Sequence, residues 1–113
     1  MRRKGGTSMA ELTSEQKKDR IGRLAAELPV LRVKLGLSQG ELGEKVGLSR
    51  QMIAAIENRR RSMTWNTYLS LILLFLHNEP TAGLLRALGL YTDELIQFLR
   101  VEDVRRPTRP ASP

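Results

Sequence analysis

The sequence predicts an all-α fold. Three observations carry this reading. Apolar residues recur at three- and four-residue steps, most plainly at Leu24, Leu28, Leu31 and Leu35. Hydroxyl residues of the kind that cap helices stand before five such stretches: Thr13, Ser38, Ser49, Thr64 and Thr92. The two-residue alternation of a half-buried strand is absent, and no internal repeat is visible. At 113 residues the chain is one small domain with tails, able to bury a modest core.

The elements follow in order. Residues 1–12 and 105–113 read as disordered tails, the first basic and glycine-containing, the second holding three of the five prolines. Thr13 and Gln16 have the spacing of a capping box, which opens a helix at Ser14. Pro29 lacks an N–H and crowds the preceding turn, so a kink or break is expected near Glu27 and Leu28, with a fresh start at Pro29. Gly36 is the stop. Ser38, with Glu41 three residues on, caps a short helix from Gln39 to Val46. Gly47 marks a sharp turn of the kind that needs positive φ. Ser49 caps a helix over residues 50–58, a loop covers 59–63, and Thr64 caps a helix reaching about residue 77. Residues 78–81 break the pattern. Two short helices are expected beyond them, one over 82–88 ended by Gly89 and one over 93–100 capped by Thr92.

Composition excludes several function classes. Without cysteine there is no disulfide framework, thiolate metal site or cysteine nucleophile. His77, the one histidine, has no His-x-x-x-His partner, so no metal is expected. No nucleophile–base set or phosphate loop is present, so no catalytic residue, no enzyme activity and no cofactor is expected. The apolar run from Tyr68 to Leu76 is far short of the about 20 residues that span a bilayer. No apolar stretch follows the basic start MRRKGGTS, so no secretory leader is expected. The net charge of +7 is uneven. Arg2, Arg3 and Lys4 lie at one end and Arg105, Arg106 and Arg109 at the other, around a nearly neutral body that contains the run Arg59, Arg60, Arg61. Clusters of this kind suit a polyanion; for the tails, plain solvated charge is an equal reading.

The stretch QGELGEKVGLSRQMIAAIEN, residues 39–58, raises the central question, because it holds Gly40, Gly43 and Gly47 where the pattern asks for helix. Inside a helix Gly40 and Gly43 together cost about 2 kcal/mol against alanine. Close approach of two helices offsets that cost if Gly43 faces its neighbour across a tight turn at Gly47. Leu42, Val46, Leu48, Ile53 and Ile56 then make a small core between them, which is a helix-turn-helix arrangement. Gly40 is left as a tolerated surface glycine.

At these residues the sequence resembles the phage-repressor and Cro-type (Xre) helix-turn-helix transcriptional regulators. Gln39, Leu42, a small residue at 43, Val46, Gly47, Ser49, Ile53 and the run Ile56, Glu57, Asn58 carry the resemblance, which extends over residues 29–76. Two positions depart from it: Gly43, where alanine is usual, and Arg59, where glycine commonly follows the asparagine. The resemblance implies a lambda-repressor-like bundle over 13–77, with its motif at 39–58. It also implies that residues 50–58 lie in the major groove of double-stranded DNA. A residue wheel places Ser49, Ile53, Ile56 and Glu57 inward and Gln51, Ala54, Ala55 and Asn58 outward, with Arg50 at the flank. Base contacts are therefore expected from Arg50, Gln51, Ala54 and Ala55. Phosphate contacts are expected from Gln39, Asn58, Arg59, Arg60 and Arg61. Arg32 and Glu57 resemble the family's structural ion pair.

The helix after the motif is apolar nearly all round, with Leu69, Ile72, Leu73 and Leu76 on one stripe and Leu71, Leu74 and Phe75 on another. Residues 78–104 are expected to cover it or to form a dimer face. Met52 and Met63 read as packing residues and Trp65 as an anchor for this helix. The reading is a cytoplasmic, bacterial nucleoid-associated DNA-binding regulator, expected as a homodimer on a palindromic operator. The alternative is a protein-interaction module, such as the antitoxin of a toxin–antitoxin pair, with a protein partner and only secondary DNA binding.

Overall fold

The computed structural model describes residues 11–101. They form six helices: α1 (Ser14–Lys34), α2 (Gln39–Val46), α3 (Arg50–Glu57), α4 (Trp65–Leu76), α5 (Glu79–Ala87) and α6 (Asp93–Leu99). No strand occurs among the described residues. The disorder expected for 1–10 and 105–113 lies outside them.

Local chemistry sets most helix ends. Thr13 Oγ1 accepts from Gln16 N, and Gln16 Oε1 accepts from Thr13 N at 2.8 Å, so the expected capping box opens α1. Ser38 and Glu41 make the same reciprocal pair at α2. Ser49 caps α3 by accepting from Met52 N. It is exposed rather than turned inward as the wheel predicted, because a cap residue has extended backbone (φ −73, ψ 159) and lies off the helix that the wheel projects. At the other end of α1, Gly36 takes φ 70, with Gly36 N donating to Val33 O and Leu37 N to Arg32 O. That pair of bonds is a Schellman stop.

Pro29 does not break α1, which is one helix across it. An interior proline costs about 3 kcal/mol. Leu24, Ala25, Leu28 and Leu31 are buried on both sides of Pro29, and each fully buried leucine contributes about 1.5–3 kcal/mol. A break would throw one half out of phase with the core, so packing overrides the local rule. Helix α5 also begins earlier than expected, at Glu79 rather than 82, since Pro80 falls in its first turn where no intrahelical N–H is required. Thr81 then donates its hydroxyl to Phe75 O at 2.7 Å and fixes the α4–α5 corner.

α1 crosses α3, α4 and α5; α2 packs on α3 and α4, and α5 on α4. The core joins Leu24, Leu28 and Leu31 to Leu42, Ile53, Ile56, Leu71, Phe75, Leu85, Leu90 and Leu95. Leu12, expected in a tail, is buried in this core. In α4 the buried face is Tyr68, Leu71, Ile72 and Phe75, while Leu73, expected on a buried stripe, is 58% exposed. Tyr68 carries a polar tip that the apolar count passed over; its hydroxyl donates to Leu90 O at 2.7 Å. Burial pushes the phenol pKa up, and nearby Arg20 and Arg23 oppose the shift. Trp65 stacks on Tyr68 at 4.8 Å and meets Phe98 of α6 edge-on. Lys17 Nζ lies over both the Trp65 and Phe98 rings, which fastens α6 to α1 and α4.

Candidate nucleic-acid interface

The α2–α3 unit is held by backbone contact. Gly43 is buried, and its carbonyl accepts from Leu48 N at 2.9 Å. A Cβ built at Gly43 would lie well inside van der Waals distance of the Leu48 carbonyl oxygen and 3.2 Å from its carbon. The close approach is therefore to the turn, rather than to the flank of α3, and it crowds even the methyl of the alanine that is usual at this place in the resembled family. Gly47 follows with φ 79, the left-handed geometry for which glycine is suited. Leu42, Ile53 and Ile56 are fully enclosed between the helices, with Val46 and Leu48 half-buried against them.

Four groups clamp the other end of α3. Arg32 Nε donates to Glu57 Oε2 at 2.7 Å, and Arg32 Nη2 to Glu57 Oε1 at 3.1 Å. Arg32 Nη1 donates to Leu37 O at 2.9 Å, and Gln39 Nε2 to Glu57 Oε1 at 3.0 Å. The Glu57 side chain is 5% exposed and that of Arg32 16%. The hydrogen bond to Glu57 raises the Arg32 pKa; desolvation opposes it, and the Glu57 charge adds to it. The clamp thus ties α1, the following turn, α2 and α3 into one frame. Gln39, expected to hold a phosphate, spends one amide hydrogen here; its second remains.

Outward from this frame, Arg50, Gln51 and Asn58 are exposed, and Ala54 and Ala55 are half-buried. A strip of small side chains thus lies between polar ones, with no large apolar residue on it. The Arg50 stem passes over Gly40, where a Cβ would stand 3.8 Å from Arg50 Cδ. That is ordinary contact, so Gly40 leaves clearance without being sterically required.

The exit from α3 carries a feature the sequence reading missed. Asn58 is the C-cap and Arg59 takes φ 62, the one positive φ among the described non-glycine residues. Arg59 N donates to Ile56 O and Arg60 N to Ala55 O, so Arg59 holds the left-handed place of a Schellman stop. A side chain there costs about 1–2 kcal/mol. The signal was present: with Asn58 read as C-cap, the next residue falls on that place. Arg59, Arg60 and Arg61 are all exposed.

No group of His, Cys, Asp and Glu able to hold a metal occurs among the described residues. His77 is the exposed C-cap of α4. No helix of the described residues is long and apolar enough to cross a membrane.

The Helix-turn-helix family model matches residues 31–64, under a third of the chain, from the last turn of α1 to the N-cap of α4. No curated protein and no solved structure matches the chain. That family is a DNA-binding regulatory one, not typically enzymatic. Caps, glycine turn, clamp and family match coincide on one segment: over residues 31–64 the chain carries an Xre-type, lambda-repressor/Cro-like helix-turn-helix.

Proposed function

We propose that the protein is a sequence-specific regulator of transcription that binds double-stranded DNA with α3 in the major groove. The observation that carries this is the open outer strip of α3, polar at its ends and small between, on a helix whose entry turn is seated on Gly43 and whose far end is held by the Arg32–Glu57 pair. Gln51 pairs with adenine and Arg50 with guanine or a phosphate, while Ala54 and Ala55 meet thymine methyls. Gln39, Asn58, Arg59, Arg60 and Arg61 hold phosphates and set register. The working unit is a homodimer on a palindromic operator, with recognition helices about 34–36 Å apart. Its place is the cytoplasm, on the nucleoid.

Selection of bound fragments from random DNA, with the mass of the complex measured alongside, tests this reading. An enriched palindrome and a two-chain complex are expected. Gln51→Ala is expected to remove about 1–3 kcal/mol of discrimination at one base pair. Arg60→Ala is expected to weaken all duplexes alike and to shallow the salt dependence by about 0.9 in slope. Equal affinity for every duplex at every salt concentration defeats the specific part.

A second reading rests on Leu73, exposed beside Val46, Leu74 and His77 in an open groove of about 340 Å³ between α2 and α4. A protein partner, such as a toxin, covers that groove. A stable stoichiometric complex at high salt, without selective DNA binding, favours it over the first.

A further inference from the structure

A cleft of about 360 Å³ lies between the N-terminal half of α1 and the turn that leaves α3. Lys18, Arg59, Arg60 and Arg61 line it together with Gly22 and Ser62, and none of its lining residues is acidic. No carboxylate among the described residues pairs with any of these four cations, whereas Arg20, Arg23, Arg32 and Arg86 each have an acidic partner. Four positive charges around one concavity, none with an acidic partner among the described residues, raise its affinity for anions.

Two departures from local preference converge on the same place. Gly22 sits within the 21-residue helix α1, where glycine is among the poorest formers. Nothing crowds it: a Cβ there would be 3.9 Å from Arg59 Nη2, an ordinary contact. Arg59 takes the left-handed backbone, and its guanidinium hangs back over Gly22. Neither choice is explained by packing. Gly22 leaves the floor of the cleft bare, and the left-handed turn at Arg59 sets a cation over it. Local rules broken without a structural gain are the mark of a functional place.

We propose that this cleft is a phosphate-binding site, with Lys18 as a ligand contributed from outside the helix-turn-helix and Gly22 as its floor. Lys18 and Gly22 precede the segment matched by the family model. The site takes phosphate oxygens, from the backbone of the bound duplex or from a free phosphoanhydride. The duplex arm rests on the DNA reading above; the free-phosphate arm does not.

The test uses the full chain and two probes. In the first arm, sodium pyrophosphate is titrated at constant ionic strength while amide resonances are followed. Saturable shifts confined to Lys18, Gly22 and 59–62 are expected, lost in Lys18→Gln and kept in Gly22→Ala, whose added methyl makes only ordinary contact. In the second arm, duplex affinity is measured across salt concentrations for wild type and Lys18→Gln, with Lys45→Gln as control. Lys18→Gln is expected to reduce the slope of log K against log salt by about 0.9, with Lys45→Gln unchanged. A changed slope assigns the phosphate to the duplex; local pyrophosphate shifts with an unchanged slope assign it to a free phosphoanhydride. Shifts spread equally over Lys34 and Lys45, with no slope change for Lys18→Gln, overturn the site. A wild-type chain that binds no duplex yet shows the local shifts defeats the DNA reading and leaves the cleft standing.

Discussion

The turn that enters α3 and the turn that leaves it follow the same backbone route and are built from opposite residues. Each holds one residue in left-handed geometry, Gly47 at φ 79 and Arg59 at φ 62. The entry turn is closed on the protein, with the Leu48 carbonyl against Gly43 where no side chain fits. The exit turn is open, and it places a strained arginine among Lys18, Arg60 and Arg61. Glycine stands wherever geometry alone is needed: Gly36, Gly47 and Gly89 are all positive-φ glycines. The one arginine in that conformation stands where charge is needed as well. Strain at a single position, supported by the frame around it, is how a fold keeps a functional group in place at some loss of stability.

Among substitutions to alanine, the largest effect should come from the anchor beside the exit turn. Glu57→Ala leaves the Arg32 guanidinium largely buried without its counter-charge, and Gln39 without its acceptor. Removing one member of a buried pair costs about 3–5 kcal/mol. Denaturant unfolding at neutral pH reads it. A loss under about 1 kcal/mol would mean that water reaches Arg32 freely, and that the exit turn is held by its backbone bonds alone.

The entry turn ranks next. Gly43→Ala sets a methyl against a backbone carbonyl that cannot rotate away, so α2 or the turn must shift. Overpacking of this kind costs about 1–3 kcal/mol. The Gly43→Leu chain is expected not to fold. Three residues earlier the sign reverses. Gly40→Ala adds a methyl at ordinary distance from the Arg50 stem and should gain about 0.5–1 kcal/mol. If both alanine variants melt alike, the contrast between the two glycines disappears, and with it the account of why α2 carries them.

These positions differ in how far the sequence reveals them. The caps at Thr13, Ser38, Ser49, Thr64 and Thr92 were legible because each acts on the backbone N–H three residues on. The close approach at Gly43 was legible from its spacing to Gly47, although its target, the Leu48 carbonyl, was not. Pro29 misled because its cost is local while the reward, one unbroken buried stripe, depends on α3, α4 and α5 being present. Tyr68 lay at helical spacing from Leu71, Ile72 and Phe75, but a count of aliphatics excludes a hydroxyl whose partner, Leu90 O, is 22 residues on. The cleft was hidden altogether. Gly22 and Arg59 are far apart in sequence, and only the crossing of α1 over the end of α3 brings them together.

The smallest effect in stability sharpens the comparison most. Arg59→Gly relieves a left-handed side chain, worth about 1–2 kcal/mol. Glycine also frees the unfolded chain, which returns about 0.5–1 kcal/mol. The net is a gain of about 0.5 kcal/mol, read as a slightly higher melting temperature. The same substitution removes a cation from the cleft, so duplex affinity should fall and its salt slope shallow by about 0.9. Opposite signs in the two measurements identify a residue kept for its charge at a cost in strain. A variant that gains stability and loses no affinity would make Arg59 a mere helix stop, no different in role from Gly47. Arg59→Lys separates the remaining case: it keeps both the charge and the backbone strain, so it should retain the wild-type salt slope and gain no stability.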